Sequence, residues 1–187
     1  MEVNVGVSKN HVHLTKETYE YLFKDKPLIK RNDLSQPHEF ASIETVDIIN
    51  NGNIIKHVRV VGPFRKYDQV ELCESYSKYL NLFPPRRQSG DLSNTEGVKL
   101  VNGYNEVILK NGVILAEAHI HMSKSLAKSL GLENRQEVDI FKNNDHLLKA
   151  KIKVTDNGVL ELHIDTDESK LYNLNSGSKV DFRICGK

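Results

Sequence analysis

His11-Val12-His13-Leu14-Thr15-Lys16 and His119-Ile120-His121-Met122-Ser123-Lys124 carry one pattern twice: histidine, aliphatic, histidine, aliphatic, hydroxyl, lysine. On a β-strand, residues i and i+2 point to the same face. Each stretch therefore sets two imidazoles side by side, with an aliphatic neighbour directed to the opposite face. The hydroxyl residue reads as a helix cap, and the residues after it, Lys16 to Phe23 and Lys124 to Leu130, as a short helix. Strand, His-x-His, cap and helix recur as a unit, which predicts a β-rich chain whose strands are stopped by short helices.

Neutral imidazole is the commonest metal ligand among side chains. One His-x-His alone is more often a polar strand face. Two copies with matching flanks favour the metal reading. Eight histidines are present, and four sit in these pairs. A fifth, His163, lies in the alternating run Leu160-Glu161-Leu162-His163-Ile164-Asp165. His38, His57 and His146 stand alone and read as surface or structural.

Outward from these motifs, alternating β-branched runs predict strands near 2–7, 44–50, 54–61, 68–72, 98–102, 105–109, 113–120, 137–142, 147–154, 159–164 and 179–184. Asn51-Gly52, Asn102-Gly103, Asn111-Gly112 and Asn143-Asn144-Asp145 supply positive φ and predict hairpin turns. Helices are expected near 15–24, 74–81, 123–130 and 167–173. The expected fold class is mainly β with short α-helices, in barrels rather than a doubly wound sheet. No GxGxxG or P-loop pattern occurs, so no common nucleotide-binding motif is signalled.

The 187 residues allow one domain or two small ones, and 39% hydrophobic with 27% charged residues suits a soluble globular chain. A net charge of +1 provides no broad basic field for nucleic acid. No apolar run is long enough for a transmembrane helix. The start, Met1-Glu2-Val3-Asn4-Val5, already reads as a strand and lacks a secretory signal. Two cysteines, Cys73 and Cys185, are too few for a disulfide scaffold and fit a reducing cytoplasm.

Other residues could carry chemistry. In Gly62-Pro63-Phe64-Arg65, the Gly-Pro turn places Arg65 at its exit, where a guanidinium could hold a phosphate through its planar fork. A surface arginine is the plain alternative. Glu71 could join two imidazoles as a third metal ligand, or be an ordinary strand glutamate. In Pro84-Pro85-Arg86-Arg87-Gln88-Ser89-Gly90-Asp91, the arginines form an anion-binding candidate or a charged loop. Cys73 could be a nucleophile, but an inert buried thiol is favoured.

Several of these stretches resemble the PduL-type phosphotransacylases, the phosphate propanoyltransferase family. They are Val5-Gly6-Val7-Ser8-Lys9-Asn10-His11-Val12-His13-Leu14, Asp33-Leu34-Ser35-Gln36-Pro37, Val58 to Arg65, Gln69-Val70-Glu71, Pro84 to Asp91, His119 to Met122 and Leu162 to Glu168. The likeness runs in order from about residue 3 to residue 170. It implies reversible transfer of a short acyl group, propanoyl or acetyl, between coenzyme A and inorganic phosphate. It also implies two helix-capped β-barrels in permuted strand order. One barrel would be built from 1–9 plus 117–187 and the other from 10–116, with a dizinc site between them.

By that resemblance His11, His13 and Glu71 would hold one Zn2+ and His119, His121 and His163 the second. Arg65 would contact phosphate. Arg86, Arg87 and Ser89 are candidates for coenzyme A or phosphate contacts. The expected route is direct attack of the coenzyme A thiolate on the acyl phosphate. Expected partners are coenzyme A or acyl-CoA and phosphate or acyl phosphate, with no nucleic acid, no membrane and a possible homodimer. Family members that enter microcompartments carry an N-terminal extension before the first strand; none is seen here, so a cytoplasmic location is expected. A dizinc hydrolase and a metal-stapled binding module are the competing readings. Coenzyme A dependence discriminates the first and metal removal the second.

Overall fold

A computed structural model describes residues 1–24 and 26–184; Cys185 lies outside the described residues. Among the described residues, fourteen strands and four short helices follow one another. The first half holds β1 (Glu2–Ser8), β2 (His11–His13), α1 (Lys16–Phe23), β3 (Lys30–Asp33), β4 (Phe40–Asn50), β5 (Asn53–Gly62), β6 (Gln69–Leu72), α2 (Glu74–Tyr79) and β7 (Arg86–Arg87). The second holds β8 (Glu96–Asn102), β9 (Asn105–Ala116), β10 (His119–Ser123), α3 (Lys124–Leu130), β11 (Glu137–Lys142), β12 (Asp145–Thr155), β13 (Glu161–Asp165), α4 (Thr166–Leu171) and β14 (Lys179–Ile184). The fold is mainly β, with two closed six-stranded barrels, as the sequence predicts.

The chain divides into two compact units. Unit 1 comprises Met1–Ser8, Ser35–Pro37 and the chain from Glu117 onward; unit 2 comprises Lys9–Leu34 and His38–Ala116. In unit 1 the barrel order is β1-β13-β10-β12-β11-β14, closed by the antiparallel β1–β14 pair. Its core is aliphatic, with Val5, Ile120, Met122, Val138, Ile140 and Leu162 fully buried. In unit 2 the ring runs β4-β5-β2-β6-β9-β8 and closes through the β8–β4 pair, with β3 and β7 added at its margins. Val12, Ile48, Val70, Leu100 and Val113 lie at its centre, and Tyr19 and Leu22 of α1 pack on them.

Register decides which way the histidines face. Val12 and Ile120 are wholly buried between the two histidines of their pairs, and burying such a side chain contributes about 1.5–3 kcal/mol. A slip of one residue would turn both imidazoles into the apolar core. The helices then start where the hydroxyl residues allow. Thr15 Oγ1 accepts from Thr18 N at 3.1 Å, and Ser123 Oγ from Leu126 N at 3.2 Å. Asp165 caps α4 through a reciprocal box with Glu168.

The expected turn at Asn111-Gly112 is absent. β9 runs unbroken through these residues to Ala116. Gly112 has a positive φ of 112°, and a Cβ there would meet the Asp68 carbonyl at 2.6 Å; the Asn-Gly signal marks a close approach of two backbones. The single strand expected over 113–120 is accordingly two, β9 and β10. The other three turn signals are hairpins, with positive φ at Asn51, Gly52, Gly103, Asn143 and Asn144. No helix among the described residues is long and apolar enough to cross a membrane.

Candidate functional site

Each unit builds a triad in the same way. In unit 2, β2 lies antiparallel to β6 with His11 opposite Glu71. In unit 1, β10 lies antiparallel to β13 with His119 opposite His163. Each His-x-His pair thus receives a third ligand candidate from the strand beside it. His11, His13 and Glu71 each bring one ligand atom to within 4.8 Å of the others, and so do His119, His121 and His163.

The nitrogens are arranged for a cation. His11 Nδ1 lies 2.8 Å from the Lys9 carbonyl and His13 Nδ1 3.3 Å from that of Val61. A proton on each Nδ1 donates to those oxygens and leaves the Nε2 lone pairs facing one another at 3.2 Å. His119 repeats this, with Nδ1 2.7 Å from the Glu117 carbonyl and Nε2 3.1 Å from His121 Nε2. Two lone pairs at such a distance repel. Two nitrogens sharing a tetrahedral ion at about 2.0–2.1 Å would stand roughly 3.3 Å apart, so the donor sets fit a divalent metal such as zinc. Glu71 Oε2 and Oε1 lie 3.5 and 3.7 Å from His11 and His13 Nε2. His121 Nδ1 is buried with no hydrogen-bond partner among the described residues.

Burial holds the inner imidazoles neutral, the form that binds metal. Desolvation first, and the neighbouring His11 second, push His13 down from 6.5 to about 3. Desolvation, with His119 and His163 beside it, drives His121 well below the usual histidine range. The Glu161 carboxyl is held below its ordinary value, chiefly by its hydrogen bond with His163 at 2.7 Å. Ser35 Oγ also donates to Glu161, and the Gln36 side chain pairs with both backbone groups of Val159 at 3.1 and 3.2 Å. Gly6 leaves room for this pair, since a Cβ would stand 2.8 Å from the Glu161 carboxyl carbon and 3.0 Å from His163 Cδ2.

Unit 2 brings further polar groups to its triad. Gln69 is fully buried; its Nε2 donates to Glu71 Oε1 at 2.6 Å and Ser89 Oγ at 2.9 Å, and its Oε1 accepts from Gly90 N at 2.7 Å. Ser89 is thereby tied to Glu71 through one amide. Arg65 follows the Gly62-Pro63 turn, and its N donates to the Leu14 carbonyl at 2.9 Å, just past β2. Its charge is among those that depress His13. Its Nη2 donates to Glu39 Oε1 at 2.5 Å. Arg86 lies 3.5 Å from Glu74 and Arg87 3.7 Å from Asp91, so both arginines of the 84–91 loop meet carboxylates. Cys73 is buried at the N-cap of α2, its N held by Asn10 Oδ1 at 2.8 Å and its Sγ 3.4 Å from Ser75 Oγ.

The phosphate propanoyltransferase family model matches residues 4–175, nearly the whole chain. The chain belongs to the phosphate propanoyltransferase family. It is 37% identical to the phosphate propanoyltransferase of Limosilactobacillus reuteri over 181 residues, covering 94% of this chain and 84% of that protein. The enzyme of the same name from Thermotoga maritima is 38% identical over 181 residues, with 94% and 86% covered. That of Rhodopseudomonas palustris is 36% identical over 190 residues, with 100% and 83% covered. The chain is therefore an acyltransferase of the phosphotransacylase type. Six of the residues singled out in the sequence assemble into the two triads, with Arg65 and Ser89 close to the first. Gln69, Glu161, Glu39 and Ser35 carry no site role in the sequence analysis. Gln69 and Glu161 each stand two residues before a proposed ligand on the same strand, a signal that i, i+2 spacing could have supplied.

Proposed function

We propose that this enzyme moves a short acyl group, propanoyl or acetyl, reversibly between coenzyme A and inorganic phosphate, with one zinc ion held by each triad. The observation that carries the metal reading is the repeated pair of Nε2 atoms at 3.2 and 3.1 Å, each with a third donor. Zinc, when bound, supplies Lewis-acid polarisation of a carbonyl or phosphoryl oxygen. His11, His13 and Glu71 would hold one ion and His119, His121 and His163 the other.

The chain's own groups do the rest. Arg65 would bind the phosphoryl oxygens and offset their charge, which favours phosphate as leaving group. The coenzyme A sulfur attacks the acyl carbon, the C–S bond forms, and the C–O bond to phosphate breaks with its electron pair leaving on phosphate. The thiol, with an ordinary pKa near 8.5, must lose its proton first. Gln69 fixes the orientation of Glu71 through the 2.6 Å bond. Cys73 supports the direct route by its burial: the residue is 2% exposed. The test is acyl phosphate consumption by metal-replete protein with and without coenzyme A, together with elemental analysis. The expected result is coenzyme A-dependent thioester formation and about two zinc ions per chain. Equal consumption without coenzyme A would indicate a hydrolase, and metal-free protein of full activity would remove the zinc reading.

A further inference from the structure

Arg65 has a partner within its own chain. Glu39 Oε1 accepts from Arg65 Nη2 at 2.5 Å, and both side chains are about a quarter to a third exposed. The Nε of the same guanidinium is buried and has no hydrogen-bond partner among the described residues. An oxyanion that approaches an arginine side-on uses Nε and Nη2 together. Glu39 therefore covers one of those two donors and leaves the other unsatisfied. A buried N–H without an acceptor is destabilising, so the pair is an incomplete solution that a tetrahedral oxyanion would complete. Backbone bonds fix both partners: Arg65 N donates to Leu14 O at 2.9 Å, and Glu39 O accepts from Leu34 N at 3.0 Å.

We propose that Glu39 is a built-in competitor of phosphate for the Arg65 guanidinium and sets how tightly the site holds phosphate. The inference rests on the reading of Arg65 as the phosphate-holding residue. Phosphate enters by displacing the carboxylate, and the carboxylate recaptures the guanidinium as phosphate departs. A site that must release phosphate in one direction and capture it in the other is served by an intermediate affinity. The Glu39–Arg65 pair provides it without weakening the guanidinium itself.

The test is titration of inorganic phosphate into the metal-replete full chain, followed by phosphorus NMR, for wild type, Glu39→Gln, Arg65→Ala and the double variant. Glu39→Gln is expected to tighten phosphate about fivefold to tenfold. It should lower KM for phosphate by a similar factor while KM for coenzyme A stays unchanged. In the Arg65→Ala background the same change should alter phosphate affinity less than about twofold, because the competition has lost its object. Glu39→Ala, which also removes the carboxylate, serves if the glutamine variant folds poorly. Unchanged or weaker phosphate binding in Glu39→Gln, with Arg65→Ala still weakened, overturns the competitor role alone. An equal gain in both backgrounds overturns it too, because Glu39 would then act only as a diffuse negative charge. Wild-type phosphate affinity in Arg65→Ala overturns the phosphate reading of Arg65, and the competitor role with it.

Discussion

Replacing His13 by Gln tests the neutral inner imidazole, with metal removed by chelator. His13 is held at about 3 in the folded chain, against 6.5 for an unperturbed imidazole. Between those values the unfolded chain binds a proton that the folded chain refuses. Stability therefore falls as pH falls through that window and is indifferent to His13 above it. At pH 5 an unfolded imidazole lies about 1.5 units below its pKa, which costs the native state about 2 kcal/mol relative to pH 7. Glutamine does not titrate. Urea unfolding of the metal-free proteins at pH 7 and pH 5 should show the wild type losing about 2 kcal/mol more than His13→Gln. With a slope near 2 kcal/mol per molar, that is roughly a 1 M difference in midpoint shift. His121 should behave likewise, since its burial displaces it in the same direction. Identical pH dependence of wild type and variant would mean that the His13 imidazole takes up its proton in the folded chain as readily as in water, and the argument from desolvation would fail.

Arg65→Ala should lower the rate with acyl phosphate at least about tenfold, since a charge-assisted contact is lost, while zinc content is unchanged; Arg65→Lys should recover little because it keeps charge without the fork. Near-normal steady-state kinetics in both directions would remove Arg65 from the site. Cys73→Ser should keep most activity, with intersecting initial-rate plots and no acyl adduct by intact mass; parallel plots and a dead variant would indicate a covalent route. Gly6→Ala should weaken metal retention by unit 1, because the new methyl meets the Glu161 carboxylate and the His163 ring; competition with a chromogenic chelator reads this, and unchanged retention would show that the pair shifts at no cost.

The duplicated histidines made most of the site legible, because period 2 fixes a shared face and a hydroxyl fixes where the helix begins. The pairing of strands was not legible at that level. His11 and Glu71 lie far apart in sequence, and only the β2–β6 register sets them opposite each other. Ser35 and Glu39 sit in a stretch whose alternation is weak, and their partners, Glu161 and Arg65, are chosen by tertiary packing. Asn111-Gly112 misled for a related reason: positive φ was read correctly, but it serves a crossing of backbones at Asp68 inside a long strand. The short β3 and β7 carry charged residues without an apolar face, so no period announces them.

The membership of β1 in unit 1 has a consequence for synthesis on the ribosome. β1 emerges before the rest of unit 1, yet its partners, β13 and β14, lie far downstream. Unit 2 can close its ring as soon as Ala116 is out. The first barrel must wait, with the Glu2–Ser8 strand carrying an unpaired edge for the whole interval, a template for mispairing with other nascent chains. Met1 N donates to the Phe182 carbonyl at 3.0 Å, so the beginning and the last described strand already meet. A rearranged gene that encodes the segment from Glu117 onward ahead of β1 would translate unit 1 almost entire before unit 2 begins. Ser35–Pro37 would be its one late-arriving piece.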